Sequence, residues 1–104
     1  MTVELLYFHK CPHVQNTFVR VAEVLDDLGL NVPMTARIVS EEEVTSLRFL
    51  GSPSVRINGV DIEPSARSRT DFGMMCRRYE DGSGVPAEEL IRAAVLEAIG
   101  KSRF

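Results

Sequence analysis

The feature that most limits the fold is a short apolar run set directly ahead of a long helical stripe. Val3-Glu4-Leu5-Leu6-Tyr7-Phe8 is almost wholly apolar and partly aromatic, the pattern of a strand buried on both faces, as in a parallel sheet. A turn follows at His9-Lys10-Cys11-Pro12. Pro12 suits the first helical position, where its missing N–H costs nothing, so the helix is expected to open there with Cys11 at its first turn. Val14, Phe18, Val21, Ala22, Leu25 and Leu28 then recur along one helical face, and Gly29 supplies a C-cap. Val32 to Val39 alternates, predicting a second strand with Val32, Met34, Ala36 and Ile38 on one side. A strand, a helix and a strand in that order imply a parallel pair joined by a right-handed crossover.

Downstream, Ser40-Glu41-Glu42-Glu43 has the spacing of a capping box. It predicts a second helix with Val44, Leu47 and Leu50 as its apolar edge and Gly51 as its end. The acidic run is then a helix N-terminus favoured by the macrodipole, not a metal site. Ser54-Val55-Arg56-Ile57 and Val60-Asp61-Ile62-Glu63 flank Asn58-Gly59, the preferred pair for a tight antiparallel hairpin. Pro64 to Gly73 has no period and reads as loop, Met75 to Tyr79 as a short edge strand, and Asp81-Gly82-Ser83-Gly84 as a turn. Pro86 opens a last helix whose stripe is Ile91, Ala94, Val95, Ala98 and Ile99, ending near Gly100 and Lys101. The expected order is β-α-β-α-β-β-α: an α/β domain with a mixed four-stranded sheet, spanning 1–104 as one unit with 64–85 as an inserted loop segment.

Bulk properties narrow the partners. A chain of 104 residues is long enough for one modest core and too short for two. The net charge of -3 argues against nucleic acid or an anionic membrane surface. No apolar run approaches the roughly 20 residues that span a bilayer, and Met1-Thr2-Val3-Glu4 carries neither a basic flank nor a cleavage site. A cytoplasmic location is expected. Two cysteines, Cys11 and Cys76, are too few for a secreted disulfide scaffold; in a reducing compartment such a pair is reactive, metal-binding or simply buried.

With these residues in place, the chain resembles the thioredoxin-like superfamily. Cys11-Pro12-His13-Val14, between a buried strand and an amphipathic helix, sits where that family keeps its Cys-x-x-Cys. Gly51-Ser52-Pro53-Ser54, just ahead of the hairpin, resembles the family's cis-proline loop. The likeness covers Val3 to about Glu63 and the final helix. Val14 stands where the resolving cysteine would be, so the turn resembles the Cys-Pro-His-Cys of bacterial disulfide oxidases without its last cysteine. The chain is also similar to small bacterial thioredoxin-like proteins often labelled as relatives of alkylmercury lyase, although it carries no organomercurial-lyase signature beyond two separated cysteines. The resemblance implies a thioredoxin-like fold and a cis Pro53. It also implies a Ser52 backbone exposed beside Cys11, ready to pair with an extended peptide or a thiol ligand. Taken alone, Pro53 reads as an ordinary trans proline opening a strand.

The chemistry turns on Cys11. A thiol is nucleophilic as thiolate, which a helix N-terminus stabilises, and His9, Lys10 and His13 flank the sulfur in sequence. The competing reading is an inert residue capping the helix. Cys76 lies 12 residues beyond Pro64, within reach of Cys11 if 64–85 folds back over the site. A disulfide there needs Cα atoms about 4.4–6.8 Å apart. Arg67 and Arg69, with Arg77 and Arg78, form a local basic cluster. It is either a seat for an anionic ligand, such as the carboxylates of a glutathione-like thiol, or a solvated surface paired with Asp71 and Glu80. His9, Cys11, His13 and Cys76 are soft-metal ligand types, but they lack the paired spacing of structural zinc sites. No metal site and no cofactor are assigned. The leading expectation is thiol–disulfide exchange at Cys11, helped by His13 and Pro53 and resolved by Cys76 or an external thiol. Its substrate is a thiol or disulfide, small molecule or protein, bound near Ser52, Arg67 and Arg69. A soft-metal or organomercurial binding module and a non-catalytic interaction protein are the alternatives.

Overall fold

The computed structural model describes residues 1–102. Four strands, β1 (Val3–Tyr7), β2 (Met34–Ile38), β3 (Ser54–Ile57) and β4 (Val60–Asp61), form one mixed sheet in the order β2-β1-β3-β4. Two helices, α1 (Val14–Asp27) and α2 (Glu88–Ser102), complete an α/β fold. β1 and β2 run parallel, as a crossover through α1 requires; β1–β3 and β3–β4 are antiparallel. Asn58 and Gly59 both have positive φ, +54° and +77°, the backbone of a type I′ turn that matches strand twist.

β1 is central, and its alternate residues feed two different layers. Val3 and Leu5, with Val55 and Ile57 of β3, meet Val21, Val24 and Leu25 of α1 and Ile91, Val95 and Ala98 of α2. Full burial of such a side chain stabilises by about 1.5–3 kcal/mol, so this helix-covered face is the main core. Leu6 points the other way and packs with Val39 and Phe49, edged by Phe8, Val44 and Leu47. Glu4, Ser54, Arg56 and Asp61 share that second face by register. It is the more polar of the two.

The helix expected over 40–51 does not form. Glu41–Glu43 makes a single 3-10 turn, with the Glu43 carboxylate accepting from the Ser40 N–H and hydroxyl. The chain then coils only as far as Arg48. Phe49 N–H donates to the Val44 carbonyl and Arg48 N–H to the Thr45 carbonyl, at 2.9 and 3.1 Å. This Schellman closure repeats the one that ends α1, where Leu30 and Gly29 donate to Leu25 and Asp26. Gly29 has the expected left-handed φ of +69°, but the second closure puts Arg48 at +53° in the same role. Burial of Phe49 and Leu50 draws the chain onto the sheet before another turn can grow. β2 is likewise shorter than its alternation predicts and lies at the sheet edge, with Ile38 half exposed. β4 stops at Asp61.

Gly51 serves a different need from ending a helix. Its φ is +105°, and a Cβ there would lie 2.8 Å from the Met75 carbonyl oxygen. At Gly29 a Cβ would meet nothing within 4 Å. Gly29→Ala is therefore expected to cost about 1–2 kcal/mol, the left-handed penalty alone. Gly51→Ala adds overpacking and is expected to cost about 2–5 kcal/mol; urea denaturation of both variants measures the difference.

Candidate functional site

Cys11 lies in the turn after β1, three residues ahead of the first residue of α1. His13 is the N-cap, and its carbonyl accepts from the Thr17 N–H and hydroxyl. The helix thus opens later than Pro12 predicts, and Cys11 is outside its first turn. The reason is local. Lys10 takes a left-handed φ of +68°, and Cys11 N–H closes the turn onto the Phe8 carbonyl at 3.3 Å. The free amides of the helix start belong to residues after the cysteine rather than to Cys11 itself. Cys11 is partly exposed and Cys76 exposed, both as free thiols.

The Ser52–Pro53 peptide is cis, and both residues are buried. Ser52 is the junction of the site. Its hydroxyl accepts from Phe8 N–H at 3.2 Å, joining it to the strand that leads into the Cys11 turn. Its backbone forms an isolated parallel bridge to Cys76: Ser52 N–H donates to the Met75 carbonyl, and Arg77 N–H donates to the Ser52 carbonyl, each at 2.9 Å. Segment 64–85 therefore folds back over the site, and its 75–77 stretch occupies the backbone that was expected to lie open. That expectation is corrected: Ser52 has no free backbone edge for an extended peptide.

The strap is held by Arg77, which is 2% exposed. Its guanidinium makes two bonds to the Asp61 carboxylate at 2.7 and 2.8 Å, and others to Glu63 at 3.3 Å and the Ser54 hydroxyl at 3.0 Å. Burial works against its charge, but the hydrogen bonds to Asp61 and the nearby carboxylates outweigh it, so the guanidinium is held more firmly protonated than usual. Arg77 also lies over the Tyr79 ring, 4.4 Å from its centroid. The Tyr79 hydroxyl donates to the Pro53 carbonyl at 2.7 Å. Burial pushes that phenol above its ordinary range, against the pull of Arg77. Farther along, Gly84 comes so close to the His13 ring that a Cβ would lie 2.7 Å from it. The strap therefore spans from the cis-proline loop to the start of α1.

Arg67 and Arg69 are each paired with a carboxylate. Arg67 Nε donates to the Asp61 carbonyl at 2.8 Å, and its guanidinium pairs with Glu97 at 3.0 Å. Arg69 makes a two-pronged pair with Asp71 at 2.8 and 2.6 Å. Both line a cavity beside Gly59 and Val60 whose lining does not include Cys11, Ser52 or Cys76. Among the described residues no three His, Cys, Asp or Glu side chains gather as a metal cluster, and no helix is long and apolar enough to cross a membrane. Asp61, Glu63 and Tyr79 were not singled out from sequence. In the fold Arg77 and Tyr79 are buried while Cys76 and Arg78 are exposed, an alternation that the residue types at 75–79 do not announce. No protein-family profile, curated protein or solved structure matches this chain.

Removing one partner of a buried ion pair leaves the other charge stranded. Asp61→Ala is expected to cost about 3–5 kcal/mol and to speed amide exchange at Ser52 and Arg77 together. Urea denaturation and native-state hydrogen exchange check both.

Proposed function

We propose that this chain is a thioredoxin-like protein in which Cys11 is a single nucleophilic thiol that reduces small disulfides, with Cys76 as resolver. Sheet order β2-β1-β3-β4, an antiparallel β3 and a cis proline directly before it support the thioredoxin-like reading. The observation that carries the chemistry is Ser52, which touches both cysteine-bearing segments: its hydroxyl binds the end of the β1 segment and its backbone is bridged to Cys76. Both thiols are reachable by solvent, as exchange with a dissolved disulfide requires.

The exchange balances as follows. The Cys11 thiolate attacks one sulfur of a substrate disulfide, forming a mixed disulfide and expelling the first thiolate, which takes up a proton. The Cys76 thiolate then attacks Cys11 Sγ, forming the Cys11–Cys76 disulfide and releasing the second thiol. Two external thiols reduce that bond and return both cysteines to the starting state. Substrate size follows from the strap. Because the Ser52 N–H and carbonyl are both bonded to residues 75 and 77, a protein strand has no backbone partner there, and a small disulfide needs none.

Cys11→Ser is expected to bring reduction of a small aromatic disulfide down to the uncatalysed rate. Cys76→Ser is expected to trap the Cys11 mixed disulfide, visible as an added mass, and, without added thiol, to release one substrate thiol per chain where the wild type releases two. Activity retained in Cys11→Ser would overturn the proposal.

A further inference from the structure

Away from the cysteines, a cavity of about 250 Å³ opens on the second face of the sheet, lined by Arg48, Arg56, Arg67, Arg69, Phe72 and Asp61 among others. Four guanidiniums around one cavity is an unusual density for an acidic chain, and they are not equally satisfied. Arg69 is paired with Asp71 and Arg67 with Glu97. The Asp61 carboxylate is committed to Arg77. Arg48 and Arg56 have no carboxylate within ion-pair distance among the described residues. Arg56 donates to the Arg48 carbonyl at 2.8 Å. Arg48 lies over the Phe72 ring, 5.0 Å from its centroid. Glu4 faces Arg56 across the strands and offsets part of its charge without bonding to it.

Two costs are concentrated here. Arg56 is half-buried, and burial, with the charges of Arg77 and Arg48, pulls its pKa below the ordinary arginine range, against Asp61 and Glu4. Arg48 holds a left-handed backbone in a helix-ending position that glycine fills more cheaply. An oxyanion between the two guanidiniums would offset the first cost and use the side chain responsible for the second. Arginine forks match carboxylate and phosphate oxygens in pairs, and the cavity is sized for a small molecule rather than a polymer. We infer that this cavity is a binding site for a small oxyanion, a phosphate or carboxylate group, held by Arg48 and Arg56 with Arg67 and Arg69 as its rim. The site is separate from the cysteines and does not depend on their reactivity.

The test titrates the intact protein at low ionic strength with inorganic phosphate and, separately, with succinate, read by calorimetry and amide chemical shifts. Saturable one-site binding of at least one probe, in the millimolar range or tighter, is expected, with shifts centred on Arg48, Arg56, Gly59 and Phe72. The responding probe distinguishes a phosphate ligand from a carboxylate one. Arg56→Gln and Arg48→Gly are each expected to weaken binding by about tenfold or more. The latter also relieves the left-handed backbone, so loss of fold does not confuse the result. Arg78→Gln, which removes an exposed arginine outside the cavity, is expected to leave affinity unchanged. Failure of both probes to saturate, or equal weakening by Arg78→Gln, would overturn the inference.

Discussion

A buried arginine fixes how the second half of the chain lies against the first. Arg77 carries a full charge into a site that water barely reaches, which is tolerable only because Asp61, Glu63 and the Ser54 hydroxyl meet four of its hydrogen-bonding directions. Nε alone is left without a partner. Such an arrangement adds little net stability compared with apolar packing, but it strongly disfavours any placement of the strap that separates the charges. It specifies position more than it adds stability. Because Asp61 and Glu63 sit on and just beyond β4, the hairpin itself is the anchor for residues 75–79.

The chemistry proposed for the cysteines depends on that anchor. The same clamp that seats Arg77 brings Met75 and Arg77 onto the backbone of Ser52 and leaves Cys76, between them, turned outward. Tyr79 and Gly84 extend the strap to the Pro53 carbonyl and the His13 ring. A site that an open sheet edge would offer to a peptide is closed by the chain's own backbone. What stays reachable is sulfur rather than hydrogen-bonding backbone, and the proposed preference for small disulfides rests on that.

The two faces of the sheet divide the work. The helix-covered face is apolar and holds the domain together. The other face is covered by irregular chain, 41–50 and the segment after the hairpin, and its side chains include Arg56, Asp61 and Ser54 as well as Leu6 and Phe49. Irregular cover leaves gaps that regular helices would fill, and the arginine-lined cavity is one of them.

Elements governed by short-range rules were legible in the sequence. β1, α1 with its Gly29 cap, the Asn58-Gly59 turn and the last helix follow from period and turn chemistry, which act over a few residues. The segment after Ser40 was not, because its capping signal is genuine but local; the pull of Phe49 and Leu50 into the sheet overrode continuation of the helix. The start of α1 was misread for a similar reason: Pro12 permits a helix start, while the left-handed Lys10 and the Phe8–Cys11 bond delay it. Arg67 and Arg69 were grouped by topology as a basic cluster; their pairing with Glu97 and Asp71 follows from where those carboxylates lie in the folded chain. The sequence by itself determined which residues can be strand, helix or turn, and that two thiols exist. Only the tertiary structure decided that Arg77 and not its neighbours is buried, that the strap covers Ser52, and that four arginines share one cavity. Those outcomes depend on charges and carbonyls far apart in the chain, whose pairing no local pattern encodes.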